Sequence, residues 1–180
     1  MLDPAKYAVT NLGACGSTMQ KAPNGDSPYW QRPQFQTLTQ NKWDIIVILL
    51  GTNDAKDPID GGPSNWHCGT GAVGMETCPF VQDYLAMIEL VKTLGPNADT
   101  PPTIYTMIPV PLMQHGAIGA NQTVINSVYP TLIPHISLTA GLTTVPINNY
   151  AAMGGVTDWQ ADFPQRLRAC CNVASCAWFS

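Results

Sequence analysis

The stretch Asp44-Ile45-Ile46-Val47-Ile48-Leu49-Leu50 constrains this chain more than any other, because after one acid it is unbroken aliphatic sequence. Six apolar residues are too few for an ordinary helix, and the β-branched first half favours extended backbone. A run that is apolar at both odd and even positions has two faces to bury. This predicts a strand inside a parallel sheet, covered on both sides. The run is also the longest of its kind in the chain, whereas a bilayer crossing takes roughly 20 apolar residues, so no membrane span is expected.

The neighbouring sequence supplies partners for such a strand. Ala8 to Leu12 is β-prone and runs into the small-residue turn Gly13-Ala14-Cys15-Gly16-Ser17. Residues 22 to 34 are rich in Pro, Gly, Asn and Gln and read as irregular, and Phe35 to Gln40 as a short helix. Val81, Tyr84, Leu85, Ile88, Val91 and Leu94 recur at three- and four-residue steps, which predicts an amphipathic helix stopped by Gly95-Pro96. Thr103 to Ile108 reads as a strand ended by Pro109 and Pro111. Asn121 to Leu138 has helical periodicity broken by Pro130 and Pro134, and Thr143 to Ile147 reads as a last strand. Alternating strands and helices define an α/β class with a parallel sheet, and 180 residues suit a single domain.

Composition narrows the function. Charged residues make up 11% and the net charge is −4, which excludes a general binder of the phosphate backbone, so no nucleic-acid partner is expected. Six cysteines in so short a chain point to disulfides and to an extracellular or lumenal compartment. Cys68 is expected to pair with Cys78, and Cys170 or Cys171 with Cys176. The competing use of His67, Cys68 and Cys78 is zinc, although the chain has no Cys-x-x-Cys pair. Met1-Leu2-Asp3-Pro4 does not resemble a signal peptide, so the routing signal is expected outside this sequence. Asn121-Gln122-Thr123 is a glycosylation acceptor sequence that matters only in a secreted protein.

The chemistry lies in the order of two loops. One strand ends in Asn11-Leu12-Gly13-Ala14-Cys15-Gly16-Ser17-Thr18, and the aliphatic strand ends in Leu50-Gly51-Thr52-Asn53-Asp54. In a parallel α/β sheet both loops emerge at the carboxyl edge, where ligands bind. Gly16 can offer a backbone N–H and Asn53 a side-chain amide, together a two-donor oxyanion hole for acyl transfer.

These blocks resemble those of the SGNH hydrolases, also called the GDSL esterase/lipase family. Asn-Leu-Gly-Ala-Cys-Gly-Ser-Thr is similar to that family's second block and Gly-Thr-Asn-Asp to its third. The likeness continues through Ser27-Pro28-Tyr29-Trp30, Ile108-Pro109-Val110-Pro111 and Gly154-Gly155. It implies a three-layer flavodoxin-like sheet and a serine esterase, lipase or carbohydrate deacetylase with Gly16 and Asn53 in the oxyanion hole. The substrate would be an ester or an acylated carbohydrate, with no metal or organic cofactor.

The family's nucleophile comes from a Gly-Asp-Ser block before the second block, and its base from a late Asp-x-x-His block. Neither stands in those places here: Ser64, Leu112 and Leu132 lie three residues before His67, His115 and His135. The expectation is therefore the middle of a hydrolase domain over residues 1–180, cut at both ends and lacking the first strand. The alternative is a catalytically inactive subunit of a larger assembly, with a protein partner supplying or covering the missing strand. In the family's strand order, that strand would lie between Ala8 to Leu12 and Ile45 to Leu50.

Other residues have plainer readings. Gly25-Asp26-Ser27 spells the family's signature, but it follows no core strand and is read as coincidence in a polar loop. Asp54 and Asp57 are read as loop and capping residues, Ser17 as a turn residue, and Cys15 as a buried thiol or disulfide partner. Trp30, Trp43, Trp66, Trp159 and Trp178 are read chiefly as core aromatics.

Overall fold

The computed structural model describes residues 5–24, 26–57, 64–69, 75–112 and 119–148. In chain order its elements are β1 (Ser17–Thr18), β2 (Ser27–Pro28), α1 (Pro33–Gln40), β3 (Ile45–Ile48), α2 (Pro79–Lys92), β4 (Thr103–Ile108), α3 (Tyr129–Thr139) and β5 (Ile147–Asn148). The ladder β3-β4-β5 is parallel throughout, with Ile45 opposite Thr103 and Met107 opposite Ile147. A separate parallel pair joins β1 to β2. Parallel strands alternating with helices are the α/β organisation expected from the chain.

The aliphatic run forms β3, but only one of its faces is covered. Ile46 and Ile48 are buried with Ile104, Thr106 and Ile108 of β4, and Thr106 Oγ1 lies 2.8 Å from Ser137 Oγ of α3. Ile45 and Leu49, on the other face, are 41% and 44% exposed. The expectation of burial on both sides is therefore corrected for the described residues. The ladder is one-sided too: β3 pairs with β4, and among the described residues nothing pairs with its other edge.

Ala8 to Leu12 is not a strand. Tyr7 and Val9 are exposed, and Asn11 Oδ1 accepts the Gly13 N–H at 2.8 Å, turning the chain locally. Intrinsic β propensity does not make a strand without a ladder partner. Nor does this segment pair with β3, so the two have not closed on each other to rebuild the sheet.

Helix α2 carries the expected stripe, with Val81, Tyr84, Ile88 and Val91 buried, and Phe80 and Met87 buried beside them. The turn after it requires Gly95, because a Cβ there would sit 1.7 Å from the Thr100 carbonyl oxygen. Near α3 the proline expectation fails. A π-helical stretch, Val124–Val128, leads straight into α3, and the helix runs through Pro134. Pro130 follows the π-helical stretch directly, at the second position of α3. Buried Leu132, Ile133 and Ile136 hold the turns on either side of Pro134 against the core. Of the last expected strand, Ile147 alone lies in β5.

Cys68 and Cys78 form a disulfide, which consumes both thiols and overturns the zinc alternative. The expected bridge among Cys170, Cys171 and Cys176 lies outside the described residues. Closing a loop of this length removes chain entropy from the unfolded state worth about 3 kcal/mol. Cys68→Ala with Cys78→Ala should lower the unfolding free energy by about that amount in a denaturant titration. Among the described residues no helix is long and apolar enough to cross a membrane.

Candidate active site

The two loops lie together, although the strand expected before the first of them is not formed. At the turn before β1, Gly16 has φ +70°, a conformation that side-chain-bearing residues rarely adopt. Asn53 Nδ2 donates to the Ser17 carbonyl at 3.0 Å. The Asp54 carboxylate, fully buried, accepts the Met19 N–H on Oδ2 and the Gln20 N–H on Oδ1, each at 2.8 Å. Gly16 and Asn53 remain half-buried, within reach of a ligand. The amide of Asn53 has two N–H groups, and the Ser17 carbonyl takes one of them.

An aromatic floor holds the second loop in place. Tyr129 donates its hydroxyl to the Gly51 carbonyl at 2.7 Å, and its ring stacks on Phe80 with centroids 5.2 Å apart. Trp66 completes the floor edge-on to Tyr129, 5.5 Å away. Gly51 has φ +127°, and a Cβ there would lie 3.2 Å from the Tyr129 ring, so glycine meets both a backbone and a packing requirement.

Burial dominates the electrostatics. It pushes the Asp54 carboxyl up to about 6, outweighing the backbone N–H groups of Gln20 and Met19 that favour the anion. Burial, reinforced by the Asp54 charge, raises the phenols of Tyr84 and Tyr129 far above their ordinary range. The Tyr84 hydroxyl has no partner among the described residues. Burial also pushes Tyr29 up to about 12, and its hydroxyl donates to the Leu12 carbonyl at 2.9 Å.

Two residues not singled out in the sequence brace this arrangement. Asn65, 2% exposed, donates from Nδ2 to the Asn53 carbonyl at 2.9 Å and to Asp26 Oδ2 at 2.7 Å. Its own carbonyl accepts Gln20 Nε2 at 2.7 Å, so Asn65 reaches both loops. Arg32 donates from Nε to Ser17 Oγ at 3.0 Å and from Nη2 to the carbonyls of Cys15 and Gly16. A residue that binds mainly backbone leaves no motif to find.

The plainer readings fare unevenly. Asp26 pairs with Lys56 at 2.9 Å and Ser27 lies exposed in β2, which suits the reading of that tripeptide as coincidence. Gly25 lies outside the described residues. Asp57 accepts Ser64 Oγ at 2.8 Å and Asn121 Nδ2 at 2.6 Å, a loop pin and not half of a carboxylate dyad. Cys15 is exposed, which corrects the expectation of a buried thiol, and among the described residues it is unbridged; its turn is pinned from Arg32 and leaves that side chain outside the core. Asn121 caps the following helical stretch, its Oδ1 accepting the Thr123 N–H at 2.9 Å. His67 Nε2 lies 2.9 Å from Asn24 Nδ2, His135 is exposed on α3, and His115 lies outside the described residues. Trp30 and Trp43 donate to the carbonyls of Met19 and Leu38, and Trp66 is core; Trp159 and Trp178 lie outside the described residues.

The chain is similar to a protein named acetylxylan esterase from Xylanibacter ruminicola (strain ATCC 19189 / DSM 19721 / CIP 105475 / JCM 8958 / 23), at 33% identity over 95 residues. That match takes in 53% of this chain and spans 16% of the relative's length. No protein-family model and no solved structure matches the chain. The match is compatible with an esterase family.

Proposed function

We propose that these residues form the oxyanion-hole portion of a secreted SGNH-type serine ester hydrolase that removes acyl groups from a carbohydrate or another alcohol. The observation that carries this reading is the Asn53 to Ser17 hydrogen bond, 3.0 Å, which ties the Asn53 amide beside Gly16. The similarity to an acetylxylan esterase supports the acyl chemistry, and the Cys68–Cys78 disulfide supports an oxidising compartment.

A serine hydroxyl, deprotonated by histidine, attacks the ester carbonyl and leaves its oxygen as an anion. The Gly16 N–H and the second Asn53 N–H donate to that oxygen. They are strongest where the charge is greatest, which lowers the barrier and not merely the energy of bound substrate. The alcohol departs with the proton returned by histidine, and water releases the acyl group by the same steps. In this reading the serine and histidine come from Gly-Asp-Ser and Asp-x-x-His segments, and the strand leading to the serine would pair with the edge of β3 that has no partner among the described residues.

The test is acetate release from acetylated xylan, and labelling by a fluorophosphonate, with the Gly-Asp-Ser strand and the Asp-x-x-His segment present. That protein should release acetate and be labelled on the serine of the added strand. The 180-residue chain by itself should do neither. Stoichiometric labelling of Ser27 in the shorter chain would contradict the assignment of the nucleophile.

A further inference from the structure

We infer that Arg32 is the positioning residue of the oxyanion hole, the side chain that aims the Gly16 N–H; the inference rests on the esterase reading for its catalytic consequence. Pro33 opens α1 and restricts the residue before it to extended backbone, and Arg32 has φ −81° and ψ 149°. Its N–H donates to the Tyr29 carbonyl at 2.9 Å, and Tyr29, Trp30 and Phe35 pack their rings around the turn. The guanidinium is thus delivered to the Gly16 loop from a built support.

There it makes contacts of one kind. Nη2 donates to the Cys15 carbonyl at 3.2 Å and to the Gly16 carbonyl at 3.4 Å, while Nε donates to Ser17 Oγ at 3.0 Å. Among the described residues no carboxylate pairs with Arg32. Its charge is spent on the loop backbone. In a trans peptide the C=O and the N–H point in opposite directions. With the Cys15 carbonyl turned toward the guanidinium, the Gly16 N–H of the same peptide is turned away from it.

Glycine needs such a device. At φ +70° Gly16 has the freest backbone in the loop, and no side chain of its own resists a flip of the preceding peptide. A flip would exchange the donor for a carbonyl oxygen, which repels a developing anion. Three acceptors reached from two nitrogens, Nε and Nη2, suit the planar fork of arginine and not the single ammonium of lysine.

The experiment measures the residual dipolar coupling of the Gly16 N–H, which reads its orientation, in the 180-residue chain and in its Arg32→Ala and Arg32→Lys variants. The expected result is a Gly16 coupling averaged toward zero in Arg32→Ala and partly retained in Arg32→Lys, with the couplings of α2 and β4 unchanged. If Arg32→Ala fails to fold, the Arg32→Lys coupling decides. A Gly16 coupling equal in wild type and variant overturns the inference. In the hydrolase, Arg32→Ala should lower kcat by about 10–100-fold with KM nearly constant, a smaller loss than deleting a donor outright. An unchanged kcat, or a loss confined to KM, overturns the catalytic consequence. If the wild-type protein releases no acetate, the esterase reading fails and the dipolar coupling still decides the role of Arg32.

Discussion

On the proposed esterase reading, replacing Asn53 with alanine should lower kcat by about 10²–10³-fold, with KM changed far less, because that reading makes Asn53 one of two donors to the oxyanion. The separation of kcat from KM follows from when the donor acts. A neutral ester carbonyl gains little from the amide, whereas the tetrahedral oxyanion gains a charge-assisted bond. Folding should suffer less, since Asn53 is half-buried and its one bond to the Ser17 carbonyl is worth about 1 kcal/mol. Steady-state kinetics on p-nitrophenyl acetate, set beside a denaturant titration, separate the two effects. A wild-type kcat in Asn53→Ala would leave Asn53 a loop fastener only.

The second large effect concerns Asp54 and depends on pH. Its carboxyl titrates at about 6 in the folded protein against an ordinary 3.8, so folding favours the protonated form. Below the ordinary value both states are protonated and this stabilisation is complete. It is lost as pH rises through 6, where the folded protein must ionise a fully buried group. A displacement of about two units corresponds to about 3 kcal/mol. Tyr84 on α2 and Tyr129 on α3 face the same region but stay neutral over this range, since their phenols are raised further. Asp54→Asn cannot ionise. The unfolding free energy of wild type relative to Asp54→Asn should therefore fall by about 2 kcal/mol between pH 4 and pH 7. A difference that is flat over that interval would show that Asp54 is not held at a raised pKa.

This cost has a structural counterpart. The carboxylate carries two oxygens that accept the N–H groups of Met19 and Gln20 separately, and an amide in its place has one acceptor for two donors. The buried charge is thus maintained to clamp the first loop against the second. Where the choice lies between stability and geometry, the site favours geometry, as functional sites commonly do.

What could be read from the chain was what residue type alone encodes. The aliphatic run announced β3, the stepped apolar residues announced α2, and two cysteines ten residues apart closed a loop. The Gly16 and Asn53 loops meet without the strand expected before the first of them, so they are joined by hydrogen bonds from Asn53 and to Asp54 and not by two parallel strands ending at one edge. Arg32 and Asn65 stayed hidden because their contacts are largely with backbone carbonyls, and every residue has one. Ala8 to Leu12 had the composition of a strand but no neighbour to pair with, and pairing is decided across the fold. The prolines of α3 misled for the complementary reason: a π-helical stretch runs directly into the helix ahead of Pro130, and buried residues on either side carry the helix through Pro134. Gly25-Asp26-Ser27 carried the right letters, but Ser27 lies exposed in the two-residue strand β2, outside the β3-β4-β5 ladder.

The most direct measurement of the central claim is a crystal structure of the hydrolase inactivated by a small alkyl fluorophosphonate, whose phosphoryl oxygen occupies the position of the oxyanion. The account expects that oxygen about 2.7–3.1 Å from both the Gly16 nitrogen and Asn53 Nδ2. A phosphoryl oxygen bound by other donors, with Gly16 and Asn53 turned away from it, would contradict the assignment of these two residues.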